Sequence, residues 1–205
     1  MFVRLAKVKD CQEIYDLIKD GDSGMTTLPK SKDEVLERIR WSKKSLSKKT
    51  KRPDKDSYLF VLKENKRIVG ISAIYTSVSK NGTSIFFKQK KKKISSKVFK
   101  FEKSLDVIQL QKVKNPYTEL GTLFLHPDFR GKGRGSLLSL ARFKFMALWP
   151  ERFDQKVVAE IRGKVDKDDN SIFWKYFSKY FFDEEMFNNN EISYINNTFI
   201  AESIP

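Results

Sequence analysis

The chain has 205 residues with 40% hydrophobic and 13% aromatic content, including 17 Phe, which suits one compact folded domain and excludes a disordered polar chain. Its 41 Lys and Arg against 26 Asp and Glu leave a net charge of +15, enough to draw it toward polyanions without naming one. A single cysteine and a single histidine exclude an internal disulfide and leave a metal centre short of ligands, and no run of ~18 apolar residues predicts a membrane span or a secretion signal, so a cytoplasmic protein without a metal is expected.

In chain order, Phe2 to Leu5 reads as a first strand. A helix follows, with Asp10 and Glu13 at capping-box spacing and Ile14, Leu17 and Ile18 on one apolar face. Cys11 in its first turn reads as core packing. After the turn-like stretch Gly21 to Pro29, which is placed to face a substrate, Ser31 and Glu34 repeat the capping pattern. Val35, Leu36, Ile39 and Leu46 then supply a second amphipathic helix. Tyr58 to Leu62 and Ile68 to Tyr75 are β-rich runs around Glu64-Asn65-Lys66, the pattern of an antiparallel hairpin. Segments 84–88, 97–101 and 106–111 read as further strands with lysine-rich connections. The run Lys88 to Lys93 repels itself and reads as a solvated loop or face.

Leu120 to Leu125 is a short, turn-bounded apolar run that reads as a buried strand, and the apolar residues from Leu137 through Ala141, Phe145 and Leu148 recur at helical spacing. Between them lies Arg130-Gly-Lys-Gly-Arg-Gly135. Glycines interleaved with cations at a helix N-terminus present backbone N–H groups and a favourable dipole to an anion, so Arg130, Gly131, Lys132, Gly133, Arg134, Gly135 and Ser136 are the candidate phosphate-binding residues. Neither the dinucleotide fingerprint nor the P-loop pattern is present. Lys156 to Gly163 reads as a strand beside the first of this pair. Asp169, Asn170 and Ser171 offer N-caps for a helix carrying Ile172, Phe173, Tyr176, Phe177 and Tyr180, and Ile192 to Ile204 reads as a last strand with an unpaired edge.

Arg130, Gly133 and Gly135, behind the strand and Pro127, resemble the (Gln/Arg)-x-x-Gly-x-(Gly/Ala) signature of the GNAT acyltransferases. Gly24-Met-Thr-Thr-Leu-Pro29, Glu119 to Leu125, Arg142 to Ala147, Val157 to Gly163, Phe173-Trp174 and Phe199 to Pro205 further resemble, in the same order, the N-terminal portion of the arginine N-succinyltransferase family. The resemblance implies a GNAT-like α/β fold with a mixed, mainly antiparallel central sheet flanked by helices, as a single domain over residues 1–205 that lacks the family's C-terminal portion. It implies transfer of a succinyl group from succinyl-CoA to the α-amino group of arginine, or of ornithine, in arginine catabolism.

Such a transfer needs a held thioester, a deprotonated amine and donors for the developing oxyanion. Backbone N–H groups along Thr122 to Leu125, with Leu123 and Leu125 as the cofactor-binding pair, would meet the pantetheine arm if the strand bulges. Glu119 and Glu160 are the candidate bases, each weighed against an ordinary salt-bridged strand residue. The tyrosine that many GNAT enzymes use to protonate the leaving thiolate corresponds here to Trp174, so that role is unassigned. Three classes stay open: an acyl-CoA enzyme, a non-catalytic or partner-dependent subunit of the same fold that needs another copy or a complementary polypeptide, and a basic nucleic-acid-binding protein, for which Phe86-Phe87 beside the lysines is thin support.

Overall fold

A computed structural model describes residues 1–20, 28–79, 84–161, 163–167 and 171–180. The chain divides into two compact units, one built from Met1–Lys80 and Pro116–Arg162, the other from Asn81–Asn115 and Gly163–Pro205. Among the described residues no helix is long and apolar enough to cross a membrane.

The first unit is a five-stranded sheet of β1 (Phe2–Leu5), β2 (Ser57–Glu64), β3 (Arg67–Val78), β6 (Tyr117–Leu125) and β7 (Val157–Val158), in the order β1-β2-β3-β6-β7. Every pairing is antiparallel except that of β6 with β7, so the sheet is mixed and mainly antiparallel, as expected. The β2–β3 hairpin turns at Asn65 and Lys66, both with positive φ, the backbone of a tight turn that follows the twist of the strands. β2 and β3 are near-continuous apolar runs because helices cover both faces.

On one face lie α1 (Cys11–Asp20) and α2 (Lys32–Ser47), whose Cys11, Ile14, Leu17, Val35 and Ile39 pack on Leu59, Val61, Ile71, Ala73 and Phe124. On the other lies α3 (Arg134–Leu148), whose Leu138 and Phe145 pack on Tyr58, Phe60, Leu62, Ile74 and Leu120.

The caps differ from their sequence reading at one helix and match it at the other. The Asp10 carboxylate turns back to Arg4, at 2.6 and 2.8 Å, and accepts from the Lys7 amide instead of closing a box with Glu13. Glu13 reaches the neighbouring hairpin, accepting from the Ile68 amide and from Lys63. At α2, Ser31 Oγ accepts from the Glu34 amide at 3.1 Å, which is the expected cap. The buried stripe of α2 then departs from the apolar pattern. Leu46 is exposed, while Ser42 and Ser45 are buried because their hydroxyls accept from the Leu59 and Ser57 amides of β2.

The second unit holds a two-stranded ribbon, β4 (Ser84–Ser96) and β5 (Phe101–Val113), with α4 (Ile172–Ser178). The lysine run Lys88 to Lys93 is strand rather than connection, and residues 97–100 form the tip. Strand geometry sends successive lysines to opposite faces, where cross-strand partners such as Glu102 against Lys93 and Gln109 against Lys90 relieve the repulsion. Phe87 packs against Phe173 and Phe177 of α4 within this unit. Asp169, Asn170 and the reading of Ile192 to Ile204 as a strand lie outside the described residues, as does most of the Gly21 to Pro29 stretch; Leu28 and Pro29 are described and buried.

Candidate active site

The pairing of β3 with β6 shifts register twice, and the shift near the end of β6 puts the extra residue on β6. Gly121 pairs with Ala73 and Phe124 with Ile71, so Thr122 and Leu123 together oppose Ser72 alone. This is a β-bulge, which takes its extra residue out of the ladder and re-aims the backbone. Thr122 adopts φ +50°, a left-handed conformation that a β-branched side chain resists. Leu123 is 40% exposed, and Leu125 at the strand's end is half-buried.

On its other edge β6 pairs with β7 only at Thr118–Val157 and Glu119–Val158. Beyond those residues the two parallel strands hold no further pairs among the described residues. The strand read over Lys156 to Gly163 thus shortens to two residues, and Glu160 lies past its end, exposed.

Glu119 sits opposite Tyr75 on β3, half-buried. Burial pushes its carboxyl above the ordinary value, and the neighbouring Glu160 charge raises it further. Directly opposed residues share a face, so Tyr75 and Glu119 stand side by side. Two residues on, Gly121 leaves room for both: a Cβ there would lie 2.7 Å from the Tyr75 ring and 3.2 Å from Glu119 Oε1. The Tyr75 hydroxyl lies 3.1 Å from Thr122 Oγ1 and accepts from Arg38 of α2 at 3.3 Å, with the Trp41 ring 5.9 Å from the Tyr75 ring. From the α3 side Arg142 donates to the Gly121 carbonyl at 3.4 Å.

β6 leads through a single 3-10 turn, Pro127–Phe129, into the glycine-rich turn and α3. Gly131, Lys132 and Gly133 all have positive φ, at 88°, 48° and 72°, and Gly133 is the left-handed N-cap of α3. Three successive left-handed residues fold the backbone into a concave cradle. The first helical bond comes from Leu137 to the Gly133 carbonyl at 2.9 Å, so the Gly135 and Ser136 amides stand in the first turn ahead of it. A Cβ at Gly131, Gly133 or Gly135 would meet nothing within 4 Å, which leaves open space against the cradle.

Arg130, Lys132 and Ser136 are exposed around the turn. Arg134 is not: its guanidinium makes a two-pronged ion pair with Glu64 at the end of β2, at 2.5 and 2.8 Å, and lies 5.8 Å from the Phe129 ring centroid. Among the described residues no group of three or more His, Cys, Asp and Glu could hold a metal ion.

The structure therefore brings the glycine-rich turn, the bulge at Leu123 and Glu119 onto one continuous strand-turn-helix, with Glu160 close enough to act on Glu119 through its charge. Sequence reasoning missed Tyr75, Arg38 and Arg142. Tyr75 read as one more β residue, and Arg38 was not singled out on its helix. Arg142 is 4% exposed on a helix whose apolar pattern pointed to Leu137 through Ala141, Phe145 and Leu148; Phe145 is buried, whereas Leu137 and Leu148 are exposed. The signal that was there is Gly121, a glycine inside a strand, which marks close approach by a neighbour.

A mixed sheet with a bulged strand feeding a glycine-rich basic turn and a helix, and a parallel neighbour paired over two residues, is the GNAT-like arrangement that the resemblance implied. The profile of one family, described as arginine N-succinyltransferase beta subunit, matches residues 1–205. The chain belongs to that family.

An arginine N-succinyltransferase of Yersinia pestis (strain Pestoides F) is 34% identical over 211 residues, spanning 100% of this chain and 59% of that protein. The arginine N-succinyltransferase subunit beta of Pseudomonas aeruginosa is 32% identical over 207 residues, 100% of this chain and 61% of the relative. The chain thus spans about three fifths of the length of these relatives. The solved structure of arginine/ornithine succinyltransferase subunit AI from Pseudomonas aeruginosa superposes with a TM-score of 0.75 at 27% identity, covering 88% of this chain and 55% of that one.

Proposed function

We propose that this chain is an acyl-CoA-dependent N-acyltransferase unit that transfers succinyl from succinyl-CoA to the α-amino group of arginine, or of ornithine, working as a beta subunit beside a complementary polypeptide or another copy. The observation that carries the reading is the continuous β6-turn-α3 unit, in which an open left-handed cradle is joined to a bulged strand. The family match over the whole chain and the names of its relatives support the choice of acyl group and acceptor.

The chain's own residues divide the work. Amides of Gly133, Gly135 and Ser136 at the start of α3 hold the pyrophosphate, with Arg130 and Lys132 adding charge from the exposed rim. Gly131 supplies the left-handed turn, and Arg134 anchors the cradle to β2 through Glu64. Along β6, main-chain groups at Leu123 and Leu125 meet the pantetheine arm, and the bulge turns an N–H toward the thioester carbonyl. Glu119 accepts the amine's proton directly or through a water, and burial has moved its carboxyl toward the working pH, where a general base is more effective. The neutral amine then forms the C–N bond as the C–S bond breaks and the electron pair leaves on the thiolate sulfur.

Calorimetric titration with CoA, acetyl-CoA and succinyl-CoA tests this reading. Wild type should bind all three. Gly133→Asp, which puts a negative side chain at a left-handed position inside the cradle, should weaken CoA by at least about tenfold. An unchanged dissociation constant in a folded Gly133→Asp protein rejects the cradle as the phosphate site. Binding without turnover by the chain alone, with turnover restored by a complementary subunit, is the expected signature of partner dependence.

A further inference from the structure

Thr122 keeps an unfavourable backbone conformation at the point where β6 changes direction, and such a conformation persists only where its surroundings over-determine it. Two side chains restrain it, from opposite faces of the sheet. On the α1–α2 face, Arg38 donates to the Tyr75 hydroxyl at 3.3 Å, and that hydroxyl shares a hydrogen bond with Thr122 Oγ1, 3.1 Å away. That contact depends on a bare strand at Gly121, over which the Tyr75 ring lies. On the α3 face, Arg142 is 4% exposed, and its hydrogen-bond partners among the described residues are uncharged: the Gly121 carbonyl at 3.4 Å, Ser139 Oγ at 2.9 Å and the Ser139 carbonyl at 3.4 Å.

A guanidinium buried without a carboxylate is disfavoured, and burial lowers the pKa of Arg142 accordingly. For stability alone an apolar residue would serve at this position. Its placement on the carbonyl that immediately precedes Thr122 is what an apolar residue could not reproduce.

We propose that Tyr75 and Arg142 are positioning residues that clamp the Thr122–Leu123 bulge from the two faces, so that the Leu123 amide is held at the thioester carbonyl. Tyr75 restrains the side chain of the bulge's first residue, and Arg142 the peptide unit just before it. Neither touches the reacting atoms. The inference rests on the acyl-CoA reading of the site and adds to it the residues that shape the oxyanion donor.

The test uses succinyl-CoA carrying 13C at the thioester carbonyl, bound to the full chain. In wild type the carbonyl resonance should move downfield on binding, as a hydrogen-bonded, polarised carbonyl does. Tyr75→Phe deletes one hydroxyl and should remove most of that displacement while the affinity for plain CoA stays within about twofold, because the cradle is untouched. Arg142→Met should do the same, and Arg142→Lys should recover part of the displacement.

Tyr75→Phe should add nothing in a Thr122→Val background, since both changes delete one shared contact. Should Arg142→Met fail to fold, Tyr75→Phe and Thr122→Val carry the test. A wild-type displacement that survives in both of those folded variants overturns the clamp and leaves the functional reading standing. Parallel loss of CoA affinity and carbonyl displacement also overturns it, by showing general damage. A wild type that binds no CoA removes the functional reading and this inference with it.

Discussion

Glu119 shows how a single side chain is tuned by its strand position. Set opposite Tyr75 and next to Gly121, it is shielded from water, and its carboxyl rises because the charged form is desolvated, with Glu160 adding repulsion. A carboxyl whose folded pKa lies above the unfolded one favours folding only while it is protonated. Its contribution is complete below the unfolded carboxylate range and is lost as pH rises through the folded value. Glu119→Gln should therefore melt at a higher temperature than wild type at pH ~7, with the two converging near pH ~4, as thermal scans across pH would check. Glu160→Gln removes the repulsion, so the acid limb of the kcat/KM profile should move to lower pH without loss of its shape. If Glu119 is not the base, that limb stays where it is.

At the scale of an element, the β6-turn-α3 unit divides its cations into two jobs that look identical in the string Arg130-Gly-Lys-Gly-Arg-Gly135. Arg130 and Lys132 are exposed on the rim, whereas Arg134 is bound to Glu64 by a planar, two-pronged pair that joins the helix start to the β2–β3 hairpin. Lys has no such planar fork, so replacement by Lys is not conservative here. Arg130→Ala and Lys132→Ala should each weaken CoA several-fold, with an effect that shrinks as salt rises. Arg134→Ala should instead lower the melting temperature, and Glu64→Gln should reproduce that loss while leaving the CoA affinity near wild type. Titration and thermal melts of the four variants separate the two jobs.

At the scale of the whole molecule, the charge of +15 is shared with a two-stranded ribbon that carries Lys90 to Lys93 on exposed positions. Cross-strand pairing with Glu102 and Gln109 makes this run ordinary solvated strand. Weak adhesion to nucleic acid that fades by about 0.2 M salt is the expected behaviour, measured by filter binding across a salt series. Tight, sequence-selective binding that survives that salt would restore the nucleic-acid reading.

The hydrophobic periods, the Ser31 cap, the Asn65-Lys66 hairpin and the strand-turn-helix around Arg130 were legible in the sequence because each depends on neighbours within a few residues. Family membership was legible for a different reason, since several separated segments had to resemble one family in the same order. What the string of residues does not hold is cross-strand register. The bulge at Thr122 exists because β6 sets two residues against one between the Ile71–Phe124 and Ala73–Gly121 pairs, and the length of β7 is set by where two parallel strands stop pairing. The burial of Ser42, Ser45 and Arg142 follows from partners supplied by distant strands, which invert the usual reading of a polar residue as a solvated one. Arg38, Tyr75 and Arg142 are 37 or more residues apart from one another, and only folding brings them to the bulge: hydrogen bonds at 3.1 to 3.4 Å are a property of the packed sheet and helices, while composition and period act one element at a time.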